Sequence, residues 1–189
     1  MSSQTQRSNL PRRHHSSKMQ AATASQVSQQ RILLVDDDCG VRESLAGVLT
    51  GEGFLVLPAA NGAEALDIAS ASPMDLVILD LNMPVKNGWD TFERLSAEHP
   101  LVPVIIATAR SNQLLTALGA GVGALLEKPL DIPHLLTTVR RLLTESNEVR
   151  LRRLIGQEAP FDYRPSHGGP KGSLPRSDEN KTELQKRHA

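Results

Sequence analysis

Four short clusters in this 189-residue chain carry groups that could do chemistry together: Asp36-Asp37-Asp38, Asp80 with Asn82, Thr108-Ala109 and Glu127-Lys128-Pro129. Each follows a run of Val, Ile, Leu and Ala, so each sits where a buried strand would end. Adjacent strands lie about 4.8 Å apart. If the first and third runs are neighbours, Asp80 and the Asp36/Asp37 pair repel one another. A hard divalent cation removes that repulsion, and Mg²⁺ favours a few carboxylates completed by water and phosphate oxygens. A carboxylate-bound Mg²⁺, the Lys128 ammonium and the Thr108 hydroxyl could then hold a phosphoryl group from three directions. Phosphoryl transfer is largely positioning and charge neutralisation. A carboxylate can itself be the nucleophile and form an acyl phosphate. Asp80, alone at the end of its run, is the natural acceptor.

The elements that must position these groups are legible between residues 31 and 145. Apolar runs at Ile32–Val35, Phe54–Leu57, Leu76–Leu79, Val102–Ala107 and Ala124–Leu126 are three to six residues long and do not alternate with polar residues. Strands buried on both faces look like this. Between them, apolar residues recur every three or four positions: Val41, Leu45, Val48, Leu49; Ala65, Leu66, Ala69; Trp89, Phe92, Leu95; Leu114, Leu115, Leu118. A fifth set, Leu135, Leu136, Val139, Leu142 and Leu143, follows the last run. These are helix faces. Gly51 and Gly53 stop the first helix, and Asp131 with Pro133 opens the last. The pattern predicts an α/β domain, a doubly wound (βα)₅ parallel sheet with helices on both faces. In such a sheet the strand ends share one edge, where ligands bind.

Composition bounds the rest. Residues 1–30 carry four basic side chains and no acid, and are too poor in large apolar groups to repay folding entropy. They are expected to be a disordered basic arm. Residues 146–189 are expected to extend the last helix through Val149–Ile155, as a docking or homodimer element, and then to be a disordered tail rich in Pro and Gly. The central 31–145 segment has eight basic and fifteen acidic residues, a net charge of −7. A single cysteine, Cys39, fits a reducing cytoplasm. No apolar run approaches the roughly 18 residues that cross a bilayer, so no membrane partner is expected. Aromatics at 3% argue against a base-stacking surface. The tail is too short for a helix-turn-helix or winged-helix output domain, so no DNA-binding output is expected.

Ile32-Leu33-Leu34-Val35-Asp36-Asp37-Asp38, Val77-Ile78-Leu79-Asp80-Leu81-Asn82-Met83-Pro84 with Gly88, Val104 to Thr108-Ala109, and Glu127-Lys128-Pro129 together resemble the receiver domain of two-component response regulators. The likeness covers about 115 residues, and the spacing between clusters matches as well as their order. It implies the flavodoxin-like strand order 2-1-3-4-5. It implies phosphorylation of Asp80 by a histidine kinase or phosphotransfer protein. Mg²⁺ would be held by Asp36, Asp37, Asp80 and the backbone carbonyl of Asn82. Lys128 would contact the phosphoryl oxygens, with a cis bond to Pro129. Thr108 would bond the phosphate, and Ala109 would leave room for a donor or an attacking water. Three positions before the lysine, where the family often has an aromatic switch residue, this chain has Leu125. The resemblance further implies a stand-alone switch that acts on a downstream protein through the helix 4/strand 5/helix 5 face. It would be no enzyme beyond weak self-phosphorylation and self-dephosphorylation.

Two other readings stay open. One is a receiver-shaped adaptor that works without phosphate; the other is a dehalogenase-like phosphatase using Asp36-Asp37-Asp38. Taken singly, Asp38 reads as an N-cap, Thr108 as a cap for a helix near Arg110, and Trp89 and Phe92 as helix core. The glycine motif Gly119–Ala124 precedes a strand, so it lacks the geometry of a dinucleotide loop. Cys39 reads as an unreactive small residue, since nearby carboxylates raise a thiol's pKa. His14, His15 and His99 lack partners at metal-ligand spacing.

Overall fold

A computed structural model describes residues 29–84, 88–109 and 112–166; the basic arm expected over 1–30 lies almost wholly outside the described residues. The five aliphatic runs form parallel strands β1 (Arg31–Val35), β2 (Leu55–Ala59), β3 (Leu76–Asp80), β4 (Val104–Thr108) and β5 (Ala124–Glu127). They alternate with α1 (Cys39–Gly51), α2 (Gly62–Ala71), α3 (Gly88–Glu98), α4 (Leu114–Gly119) and α5 (Ile132–Thr144). The sheet order is β2-β1-β3-β4-β5, followed by a sixth strand. The chain first winds from β1 outward to β2, then crosses to β3 on the other side. The switch point therefore lies between β1 and β3, at the carboxyl ends of both.

Alternate side chains of each central strand feed two cores. Leu33, Val35, Val77, Leu79, Ile106 and Leu125 pack with Ala65, Phe92, Leu95 and Ala117 from α2, α3 and α4. Ile32, Leu34, Ile78, Ile105 and Leu126 pack with Leu45 and Leu49 of α1 and Leu135, Val139 and Leu142 of α5. The unbroken aliphatic runs at β3, β4 and β5 follow from this, because both faces are covered. The edge strand β2 departs from the expectation of two buried faces: only Ala59 is buried, and Leu55 is 40% exposed.

Local chemistry sets the helix starts. Asp38 accepts from the Val41 N–H, Asn61 from the N–H groups of Ala63 and Glu64, and Asp131 from the N–H of His134. These are side-chain N-caps, as expected for Asp38 and Asp131. Among the described residues no helix starts near Arg110: α4 begins at Leu114, with Gln113 before it. Gly88 has a packing reason. A Cβ there would stand 2.5 Å from Leu81 Cα and 2.7 Å from the Asp80 carbonyl oxygen, so α3 starts directly against the exit of β3.

The C-terminal expectation needs two corrections. Val149–Ile155 does not prolong α5. Glu145 turns extended and Ser146 caps a separate helix, α6 (Asn147–Leu154). Residues 156–166 are not a disordered tail either, since Asp162–Arg164 form β6, parallel to β5. Three residues are too few to show a strand period among prolines. What holds them is Phe161 and Tyr163 packing on the core that contains Leu125. Residues 167–189, the rest of that tail, lie outside the described residues.

Candidate functional site

At the switch point Val35 and Leu79 are paired in register, and the next residue on each chain is an aspartate. Asp36 leaves β1 and Asp80 ends β3; their side chains are 2% and 4% exposed. Two such carboxylates need compensation. Lys128, which follows β5, supplies it with Nζ 2.7 Å from Asp36 Oδ2 and 2.6 Å from Asp80 Oδ2. The second oxygens are occupied by backbone donors: Asp36 Oδ1 accepts from the Asp38 N–H at 3.1 Å, and Asp80 Oδ1 from the Asn82 N–H at 2.8 Å. Asp37 points outward, yet its carboxylate lies within 4.8 Å of ligand atoms on both buried aspartates.

Burial pushes the Asp36 carboxyl above its ordinary range, and the bond to Lys128 only partly opposes this. Burial alone would lower the Lys128 ammonium, but hydrogen bonds to Asp36 and Asp80 outweigh it and hold its pKa above the usual lysine value. The pocket is thus a proton-retentive cation between two anions, with a third anion at the rim. Among the described residues, three carboxylates against one ammonium leave net negative charge on hard oxygen donors. That donor set suits a small divalent cation, in agreement with the expected Mg²⁺.

The remaining sequence candidates divide. Thr108, the last residue of β4, is fully buried, paired in register with Glu127, and accepts the Lys128 N–H on its carbonyl oxygen at 2.9 Å. Ala109 beside it is exposed, and Asn82 is half-buried beyond Asp80. The Lys128–Pro129 bond is cis, as the resemblance implied. Leu125 is fully buried among apolar neighbours, two residues back along β5 from Glu127. Cys39 donates to Glu43 Oε1 on the first turn of α1, and this bond raises its pKa, which fits the inert role expected. Gly119–Ala124 connects α4 to β5 and cradles nothing at a helix start. Trp89 lies edge-on to Phe92 and donates its indole N–H to Gln113.

Three participants were invisible to pattern reading. Arg42 of α1 donates to the Asp36 carbonyl oxygen at 2.6 Å and braces the exit of β1. Glu127, quoted only as part of a motif, is buried and accepts from Tyr163 Oη at 2.8 Å and from Ser166 N and Oγ. Tyr163 itself lies in the stretch read as tail. No spacing rule links residues 36 positions apart, so nothing in the sequence pointed to that pair. Beside the pocket, Gly40, Val41, Ser44, Lys128, Pro129 and Ile132 line a cleft of about 430 Å³ between α1 and the start of α5.

Comparison with known proteins agrees with this geometry. The response regulator receiver domain family model matches residues 32–140, more than half of the chain. The transcriptional regulatory protein CpxR of Escherichia coli K12 is 42% identical over 119 residues, which cover 62% of this chain and 50% of that protein. The response regulator MprA of a Mycobacterium species is 37% identical over 119 residues, covering 62% of this chain and 52% of its own. The chain thus spans about half the length of these curated relatives. Among solved structures, a CheY-like receiver domain protein of Methanospirillum hungatei has a TM-score of 0.61 at 29% identity, covering 64% of this chain and 98% of its own. The response regulator TrrA of Thermotoga maritima, solved with Mg²⁺ and BeF, has a TM-score of 0.57 at 31% identity, covering 60% of this chain and 99% of its own. The family match runs from β1 into α5 and so takes in every residue of the acidic pocket; on that ground the chain belongs to the response regulator receiver domain family.

Proposed function

We propose that Asp80 is the phosphoacceptor of a two-component phosphorelay, modified by a histidine kinase or phosphotransfer protein. The observation that carries this reading is the placement of one lysine within 2.7 Å of two nearly buried carboxylates at the switch point. Asp80 Oδ2 is the oxygen that bonds phosphorus, while the donor's nitrogen or oxygen leaves with its electron pair. Asp80 Oδ1 stays bonded to the Asn82 amide, which fixes the carboxylate plane during attack. Lys128, displaced from the Asp80 Oδ2 it now bonds, then bonds the new phosphoryl oxygens. The Thr108 hydroxyl donates a second bond, and exposed Ala109 leaves a path for the donor and for the water that later hydrolyses the acyl phosphate. Asp36, Asp37, Asp80 and the carbonyl of Asn82 would hold Mg²⁺, which when bound neutralises charge on the transferring group.

The cleft between α1 and the start of α5 opens beside Lys128 and offers an apolar seat for the donor protein. Beyond gaining and losing its own phosphoryl group the chain performs no catalysis in this reading. Its output is a change in the α4–β5–α5 face that alters binding of a downstream protein. The phosphatase reading loses its second acid, because Asp38 Oδ1 is committed to capping α1. The phosphate-independent adaptor keeps one observation in its favour: Leu125, buried and without a polar tip, offers no aromatic rotamer to report modification.

The test is incubation with acetyl phosphate and MgCl₂ followed by intact-mass measurement. Wild type should gain one phosphoryl group, and Asp80→Asn none. An equal gain in Asp80→Asn overturns the assignment. Equal affinity for a downstream partner with and without the phosphoryl group selects the adaptor.

A further inference from the structure

The β5 edge of this sheet is closed by the chain's own C-terminal segment. Ala124, Leu125 and Leu126 are in register with Asp162, Tyr163 and Arg164. Side chains pin the strand on both sides. Asp162 bonds His134 Nε2 at 3.1 Å and the Thr138 hydroxyl, both on α5; Arg164 pairs with Asp131 at 2.8 Å. On the other side, Phe161 and Tyr163 pack against the core that holds Leu125. The Tyr163 hydroxyl and both donors of Ser166 converge on the buried carboxylate of Glu127.

Glu127 connects this segment to the acidic pocket. It is paired in register with Thr108 and precedes Lys128 in the chain, so it stands between the two residues that the phosphoryl group would recruit. A phosphoryl group on Asp80 Oδ2 would fill the space where the Lys128 ammonium now sits, 2.6 Å away. Lys128 must then move, and its neighbouring peptide, bonded to the Thr108 carbonyl oxygen, moves with it. The strand on the other side of Glu127 is the shortest in the sheet. It has three residues, all only half-buried, and follows a turn at Gly156 with φ +72°. Segments with few buried contacts are the ones that open first.

We infer that residues 161–166 form a strap over the β5 edge that phosphorylation of Asp80 releases through Glu127. The inference rests on the phosphoacceptor reading. By thermodynamic reciprocity, a strap that opens on phosphorylation also opposes it while closed, so weakening the strap favours the phosphorylated form.

The experiment is hydrogen exchange read by mass spectrometry on the full chain, with MgCl₂ alone, with beryllofluoride added, and with acetyl phosphate. Intact mass is recorded in parallel for the acetyl phosphate arm. Peptides spanning 161–166 and the edge strand 124–127 should exchange on the order of tenfold faster once Asp80 is modified, while β1 and β3 stay protected. Tyr163→Phe, which keeps the ring and deletes the bond to Glu127, should speed exchange in the unmodified chain. It should also raise the phosphorylated fraction at limiting acetyl phosphate. Thr138→Val, which removes an anchor of Asp162, should do the same. Modification of Asp80 with unchanged exchange in the strap overturns this inference and leaves the phosphoacceptor reading intact. Absence of any modification overturns both. Variants that phosphorylate no more readily than wild type overturn the reciprocal coupling and the strap with it.

Discussion

Replacing Lys128 with Gln removes the one cation that, among the described residues, bonds both Asp36 and Asp80. The Lys128 side chain is 19% exposed, and those of Asp36 and Asp80 are 2% and 4% exposed. Breaking a fully buried pair costs about 3–5 kcal/mol, most of it from the charge left behind. Lys128 reaches some solvent, so the lower end applies, about 3 kcal/mol. For a domain of this size that is a fall in Tm of roughly 10 °C. The loss should grow with pH. Burial raises the Asp36 pKa in the folded chain, so the folded state holds this proton more tightly than the unfolded one. The resulting stability is present below the ordinary carboxylate pKa and disappears as pH rises through the raised value; without Lys128 that window moves upward. Mg²⁺ should act in the opposite sense. In wild type it must displace the ammonium, whereas in Lys128→Gln it meets two bare carboxylates. The assay is thermal unfolding by circular dichroism at several pH values, in EDTA and in millimolar MgCl₂. The variant should gain more from Mg²⁺ than wild type does. Equal Tm values for the two proteins in EDTA, or a smaller Mg²⁺ gain in the variant, would refute the electrostatic account of the pocket.

Gly88→Ala puts a Cβ 2.5 Å from Leu81 Cα and so strains the exit of β3; unfolding in urea should show a loss of about 1–3 kcal/mol, together with slower phosphorylation of Asp80. Asp38→Ala deletes the bond to the Val41 N–H, and should cost about 1 kcal/mol while leaving phosphorylation from acetyl phosphate unchanged. Tyr163 is the one tyrosine of the chain, so absorbance of the phenolate reports it alone. Burial, with a smaller part from the Glu127 hydrogen bond, raises its pKa above the usual tyrosine value. Its contribution to stability is therefore present below pH 10 and lost as pH rises through the raised value. An alkaline titration should show delayed ionisation, and Glu127→Gln should bring it forward.

The aliphatic runs made the five central strands legible because burial on both faces leaves no polar position to obscure them. Asp80, Asp36 and Lys128 were legible for a related reason. A charged residue directly after a buried run must lie at the sheet edge, and parallel strands gather those edges at one place. Asp38 and Asp131 declared themselves as caps by preceding a helical period. The elements missed are those that the period cannot encode. β6 is three residues long and lies among Pro160, Pro165 and Gly168-Gly169, so composition argued against order. Its order comes from tertiary partners, Glu127, His134 and Asp131, that no local pattern specifies. The break between α5 and α6 depends on one hydroxyl, Ser146, inside an otherwise continuous apolar repeat. Arg42 escaped notice because it binds a backbone carbonyl, and no spacing in the sequence marks such a contact.

Trapping the acyl phosphate measures the central claim most directly. After treatment with acetyl phosphate and MgCl₂, borohydride reduction converts a phosphorylated aspartate to homoserine, and peptide mass mapping then locates it. The chemistry of the pocket predicts homoserine at position 80 alone, absent when MgCl₂ or the phosphodonor is omitted. Homoserine at position 36 or 37, or at no aspartate, would contradict it.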